Sequence, residues 1–252
     1  MKHWIRAAAM LLPLTLLSAC LFQPGKFESS LTIHKDRSFT YTYKGEVMAI
    51  DLEGMSKDMM KSMPSPGADA GADGAEVEDA VPLDNSVVAD EETPEQKAAA
   101  KEAKDAEYRE LAAQLSKEYG YKTVEYRGDG VFYVDYAISG VLTHNFVFPF
   151  NQDSAMIFPW VAVELRGGDT VRVKAPGFAK ADTGGMGSMA GMGGGDAPSK
   201  MDGVFTLTTD AELVSQNNED GAKTVGGNRV IAWRITPRTE DAPMAVLRLS
   251  GR

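Results

Sequence analysis

Apolar and polar residues alternate with a period of two in many short runs of this chain, and that alternation predicts strands. Leu31-Thr32-Ile33-His34 and Phe39-Thr40-Tyr41-Thr42-Tyr43 alternate on either side of Lys35-Asp36-Arg37-Ser38, so Phe27 to Val47 reads as a hairpin. Both runs are rich in Thr, aromatic and β-branched residues, which suit a pleated surface. Further strands are predicted at Thr123–Tyr126, Val131–Ile138, Val141–Phe148, Trp160–Leu165 and Thr170–Val173. Four more follow at Val204–Thr208, Glu212–Ser215, Arg229–Ile235 and Met244–Leu249. Gly128-Asp129-Gly130, Gly167-Gly168-Asp169 and Gly226-Gly227-Asn228 supply the residues that tight turns demand.

The period changes twice. Leu52, Met55, Met59 and Met63 fall three and four apart, predicting a short helix over Asp51–Met63 that Pro64 and Pro66 stop. Thr93, Pro94 and Gln96 spell an N-cap, an N1 proline and a capping box. The helix they open is predicted over Glu95–Tyr119, with Tyr108, Leu111, Ala112, Leu115 and Tyr119 on one face and Gly120 as its stop. That stripe is narrow, so one face should lie on a sheet and the rest in solvent.

Two stretches fit neither period. Residues 64–92 form an acidic loop: Gly67–Glu92 holds nine acids and no base. Residues 180–202 form a loop rich in Gly and Met. Neither can bury enough apolar surface to offset chain entropy, so both are expected to be disordered. The fold class is α+β: an antiparallel β-sheet domain with one long and one short helix, spanning residues 27–252 as one unit interrupted by those two insertions.

The first nineteen residues belong to no fold. Lys2 and Arg6 precede Ala7–Leu17, an apolar run of eleven residues that is too short to span a bilayer, the layout of a secretory signal peptide. It ends in Leu17-Ser18-Ala19-Cys20, which resembles the bacterial lipobox. The resemblance implies that Cys20 is acylated on sulfur, that the chain is cut before it, and that the new amine is acylated in turn. Several acyl chains give a stable membrane anchor. Leu21 stands where lipoprotein sorting would read aspartate as an inner-membrane signal, which implies the outer membrane, facing the periplasm. Residues 20–26 are then expected to be a lipidated tether.

Charge and composition narrow the function. The 252 residues carry 26 basic against 36 acidic side chains, and the mature chain keeps 24 of those bases. That excess argues against nucleic acid as a partner, because phosphate contacts need clustered Lys and Arg. One cysteine excludes a disulfide framework, a cysteine zinc site and a redox CxxC pair. Mature His34 and His144 stand apart in sequence, and no GxSxG or HExxH motif occurs. The expectation is therefore no enzyme and no cofactor.

Two binding chemistries remain. Met186, Met189 and Met192 form M-x-x-M-x-x-M, and soft thioethers suit Cu(I) or Ag(I); Met55, Met59, Met60 and Met63 form a second cluster with the helical spacing of a core stripe. Phe132, Tyr133, Phe146, Phe148, Phe150, Phe158, Trp160 and Trp233 could instead build an ordinary core, or a groove between sheet and helix that holds an apolar ligand.

The Cys20 motif leads into Leu31-Thr32-Ile33-His34-Lys35-Asp36, a turn, and Thr40-Tyr41-Thr42-Tyr43-Lys44-Gly45-Glu46-Val47. Together with the tail Gly227-Asn228-Arg229-Val230-Ile231-Ala232-Trp233, this opening resembles LppM-type lipoproteins. The chain differs in its two insertions and in lacking a C-terminal membrane helix. The resemblance implies an α+β envelope domain that binds lipid or a protein partner and does not catalyse. The expected function is thus a lipid-anchored periplasmic binding or scaffolding domain for a protein or apolar ligand, with Cu(I)/Ag(I) binding by the Met-rich loop as the alternative.

Overall fold

The computed structural model describes residues 21–50, 93–149, 159–179 and 201–249. Twelve strands, one α-helix and one 3-10 turn make up the described fold. In chain order they are β1 (Leu21–Ile33), β2 (Ser38–Ile50), α1 (Pro94–Leu115), β3 (Tyr121–Tyr126), β4 (Val131–Val141) and β5 (Phe146–Phe148). Then come β6 (Val161–Arg166), β7 (Thr170–Lys174), the 3-10 turn Pro176–Phe178, β8 (Asp202–Thr209), β9 (Glu212–Gln216), β10 (Lys223–Val225), β11 (Asn228–Ile235) and β12 (Met244–Arg248).

These strands form two sheets. The larger has seven strands in the order β10-β11-β8-β1-β2-β4-β3, and the smaller has five in the order β5-β6-β7-β12-β9. Every pairing is antiparallel except β1 with β8, which run parallel from Lys26↔Asp202 to Ile33↔Thr209. The α+β class holds. The larger sheet is mixed, because β8 enters beside β1 from a long connection and not from a hairpin.

Period-two burial builds the core. Leu31, Ile33, Phe39, Tyr41 and Tyr43 are buried, and Phe132, Val134 and Tyr136 continue the same face in β4. From the smaller sheet come Val161, Val163, Val171, Val173, Ala245 and Leu247, and one contiguous core holds both sets. Rings bridge the two sheets: Tyr41 lies 4.9 Å from Phe148, and Tyr43 5.3 Å from Trp160. At one end the guanidinium of Arg37, in the β1–β2 turn, donates to the Gly168 carbonyl in the β6–β7 turn. The architecture is two sheets packed face to face, with α1 laid against β3 at one flank.

The cap of α1 forms as its residues dictate. Gln96 N donates to Thr93 Oγ1 at 3.3 Å, and Thr93 N donates to Gln96 Oε1 at 2.8 Å. Only Tyr108 and Ala112 are buried, so one face meets the sheet as expected. The helix stops at Leu115 rather than Tyr119: Ser116 N still donates to the Ala112 carbonyl at 3.0 Å, but Lys117 N and Glu118 N donate three residues back, to the Gln114 and Leu115 carbonyls, so the last turn tightens and ends. Residues 93–103 are all exposed, and the tertiary contact there is the solvent-exposed pair of Lys101 Nζ with Asp129 Oδ1 at 2.6 Å, so little holds the first turns. Thr93→Ala is therefore expected to loosen this end locally: about 1 kcal/mol of lost capping should speed amide exchange of residues 94–100 several-fold. The thermal midpoint of the domain should not move.

Three boundaries differ from the sequence reading. Residues 21–26 are not a tether but the first half of β1, paired with β2 from Leu21↔Ile50 onward. Pro24 and Gly25 suggested a loop, yet they sit at a bulge between Pro24 and Phe27, where a strand accepts them. The single strand expected over Val141–Phe148 is two: β4 ends at Val141, Leu142–Asn145 crosses between sheets, and β5 joins the smaller one. The Gly/Met-rich stretch gives up its last two residues, since Met201 is buried in the core and Asp202 opens β8. The short helix expected over Asp51–Met63, the acidic loop 64–92 and the rest of 180–202 lie outside the described residues.

Candidate apolar binding site

Where α1 ends and the chain turns into β3, the two sheets and the helix leave a gap. Leu115 is the last residue of the helix, and Tyr121 and Val124 follow on β3. Val47 from β2 and Phe132 and Val134 from β4 form the floor. Phe148, Pro149 and Trp160 close it from the smaller sheet, and Phe22, the second residue of β1, completes the wall. The result is a part-open cavity of about 70 Å³ with an almost wholly apolar lining.

Its size limits what it can hold. A cavity of roughly 150 Å³ accommodates benzene, so this one has space for less than half of that volume. The end of an apolar chain fits; a ring does not. The walls are firm: Phe22 meets Phe132 edge-on at 5.8 Å, and Phe148 meets Trp160 edge-on at 5.8 Å. Phe148 and Trp160 are each less than 5% exposed. The peptide between Phe148 and Pro149 is cis.

The polar chemistry at the site is slight. Burial pushes the Tyr121 phenol up to about 12, and burial likewise raises Tyr136 behind it. Neither is a base or a nucleophile near neutral pH. Among the described residues no carboxylate, histidine or lysine lines the gap. This arrangement can exclude water and hold apolar matter.

The residues singled out from the sequence divide accordingly. Phe132, Phe148 and Trp160 line the cavity. Phe146 packs instead against Phe39 and Tyr41, and Trp233 stacks on Phe205 while its indole N–H donates to Asn217 Oδ1 at 3.1 Å. Tyr133 faces the opposite side of the larger sheet, under the Arg127 guanidinium at 4.2 Å. Sequence reading missed Phe22, Val47, Leu115, Tyr121, Val124, Val134 and Pro149 as site residues. Phe22 fell in the stretch read as a tether, Tyr121 and Pro149 flank turns, and Leu115 and the valines stand on periodic faces that read only as core.

The two histidines stand as follows. His34 Nδ1 lies 3.5 Å from Asp210 Oδ1, a carboxylate that also accepts from Lys35 N at 2.8 Å. His144 is not mid-strand. It is exposed in the crossing between sheets, with its Nδ1 3.0 Å from the neighbouring Thr143 hydroxyl. Cys20, Met186, Met189 and Met192, the second cluster Met55, Met59, Met60 and Met63, and Phe150 and Phe158 lie outside the described residues. Among the described residues no three His, Cys, Asp or Glu side chains converge as metal ligands. No helix among them is long and apolar enough to cross a membrane.

No protein-family model matches the chain, and no curated protein matches it. Among solved structures it is similar to the folded domain of Mycobacterium tuberculosis LppM, determined by NMR, with 18% identity and a TM-score of 0.31 over 92% of this chain and 95% of that one. That neighbour is of the kind to which the strand and turn motifs pointed. So loose a superposition leaves the functional reading to this chain's own residues.

Proposed function

We propose that this chain is a lipid-anchored envelope domain that binds an apolar ligand and does not transform it. One observation carries the reading. The lipobox cysteine, Cys20, directly precedes β1, and the second residue of that strand, Phe22, is a wall of the apolar cavity. Two residues of extended chain cover only about 7 Å. An acylated Cys20 would therefore hold the cavity at the membrane surface, where chains of matching chemistry are concentrated. The lining supports an apolar occupant, because a polar one would lose its hydration there without finding hydrogen bonds. The non-catalytic part of the proposal draws on the lining, which among the described residues holds no carboxylate, histidine or lysine.

The test is native mass spectrometry of the mature domain carrying Cys20→Ala, expressed in the periplasm. The expected result is a population with an added mass in the lipid range. Leu115→Trp, which puts an indole into a gap of 70 Å³ from the end of the helix, should abolish that adduct and leave the thermal midpoint within a few degrees. A bare mass for the parent protein, or an adduct that persists in Leu115→Trp, would sink the cavity as the site.

A further inference from the structure

The face of the seven-stranded sheet that points away from the smaller sheet has an unusual surface. Strand register lays its side chains out in rows. One row reads Val230, Thr208, Thr32, Thr40 and Ser139 across β11, β8, β1, β2 and β4. The next reads Ala232, Thr206, Ser30, Thr42 and Ala137 across the same strands. These ten adjacent positions carry no charge, in a chain where a quarter of residues are charged. Seven of the ten are hydroxyls. Hydroxyls of neighbouring strands already bond one another: Ser30 Oγ to Thr42 Oγ1 at 2.7 Å, and Thr40 Oγ1 to Ser139 Oγ at 2.9 Å. The third row is charged, with Lys44 set between Glu28 and Asp135. Ser30, Thr42 and Thr206 with this charged row enclose a concavity of about 490 Å³, within the range of roughly 300–1,000 Å³ that ligand sites occupy.

The chemistry of the surface selects its partner. An apolar ligand would strip water from all seven hydroxyls and give nothing in return, even where four of them bond one another. A protein partner usually anchors on Trp, Tyr or Arg, and the two hydroxyl rows contain none. Phosphates would find no net positive charge in the third row, where Glu28 and Asp135 balance Lys44 and Arg234. A polyhydroxylated chain matches best, because Ser and Thr hydroxyls both donate and accept, as sugar hydroxyls do. The uncharged field suits an uncharged polymer, and the repeat of hydroxyls from strand to strand suits a repeating one. We infer that this concave face binds a glycan strand of the cell wall. The choice of source rests on the envelope reading above; the surface chemistry does not.

The experiment uses the mature chain carrying Cys20→Ala. Its cosedimentation with purified peptidoglycan sacculi is measured, together with its affinity for the soluble probe chitotetraose. Saturable binding is expected, with amide shifts confined to β1, β2, β4 and β8. Thr42→Lys and Thr206→Lys lay long charged chains over the hydroxyl rows and should weaken binding at least ten-fold. Ser215→Lys, on the exposed strand β9 of the other sheet, should leave it unchanged. If a lysine variant fails to fold, the Ser30→Ala/Thr42→Ala pair decides, with a loss of several-fold expected. No binding by the parent protein, equal binding by all variants, or self-association through this face without glycan binding would overturn the inference. None of these outcomes depends on the apolar cavity, so failure here and failure of the lipid adduct are separate results.

Discussion

Gly203→Val is expected to destabilise the domain by about 3 kcal/mol, and the cause is a single aromatic side chain. Phe27 sits on β1 between Gly45 of β2 and Gly203 of β8. Its ring stacks on Phe178 at 4.5 Å and on Tyr43 at 5.5 Å, so it fills the space above both glycines. A Cβ at Gly203 would lie 2.6 Å from the Phe27 ring and 2.5 Å from its carbonyl oxygen. A Cβ at Gly45 would lie 2.3 Å from the Lys26 carbonyl and 2.5 Å from Phe27 Cα, where only backbone could yield. Gly203 therefore allows the cleaner test, since part of its conflict is with a side chain that can be removed. Phe27→Ala alone should cost about 3–5 kcal/mol through the cavity it leaves. The double variant Gly203→Val/Phe27→Ala should cost less than the sum by at least 1 kcal/mol, because valine enters space the ring has vacated. Urea unfolding midpoints of the four proteins close the cycle. Strict additivity would show that the ring and the glycine do not compete for one space.

This packing also marks the limit of what the sequence disclosed. Local chemistry was legible where it is self-contained. The β1–β2 hairpin follows from two alternating runs around Lys35–Ser38, and the cap of α1 follows from Thr93, Pro94 and Gln96, whose hydrogen bonds span three residues. The parallel pairing of β1 with β8 was not legible, since it joins segments about 175 residues apart and leaves no local period. Its trace is Gly203 itself, which reads as a turn residue in sequence and serves as clearance for Phe27. Three of the ten described cavity residues were legible for a related reason. Phe132, Phe148 and Trp160 stand out as aromatics in strands, whereas Leu115 and Tyr121 acquire a role only because the helix ends at Leu115 and the chain turns at once into β3, which brings them to one gap. The outer face of the large sheet was hidden too. Each Ser or Thr looks like ordinary strand polarity until register sets seven of them side by side.

In the mature chain exported behind an ordinary cleavable signal peptide, Cys20→Ala is expected to move the protein entirely from the membrane fraction to the soluble fraction and to abolish palmitate labelling. The expected change is total because the described residues supply no substitute. One acyl chain binds a bilayer with a constant of only about 10⁴ per molar, so stable attachment needs a second chain or a basic patch. With 24 bases against 36 acids, the mature chain is repelled by anionic lipid. Among the described residues no helix could cross the bilayer in the anchor's place. Labelling or membrane retention that survives the substitution would refute the lipobox reading. A companion variant separates attachment from position. Ten Gly/Ser residues inserted between Cys20 and Leu21 keep every acyl chain but let the domain swing roughly 17 Å away, as a flexible linker of that length allows. Because β1 begins at Leu21 and Phe22 already walls the cavity, an acylated Cys20 at native spacing would press the site against the membrane. The insertion should therefore preserve membrane fractionation and labelling while lowering the lipid adduct recovered with the domain. Unchanged loading would mean that the cavity fills from solution, and that the anchor fixes where the protein resides without feeding its site.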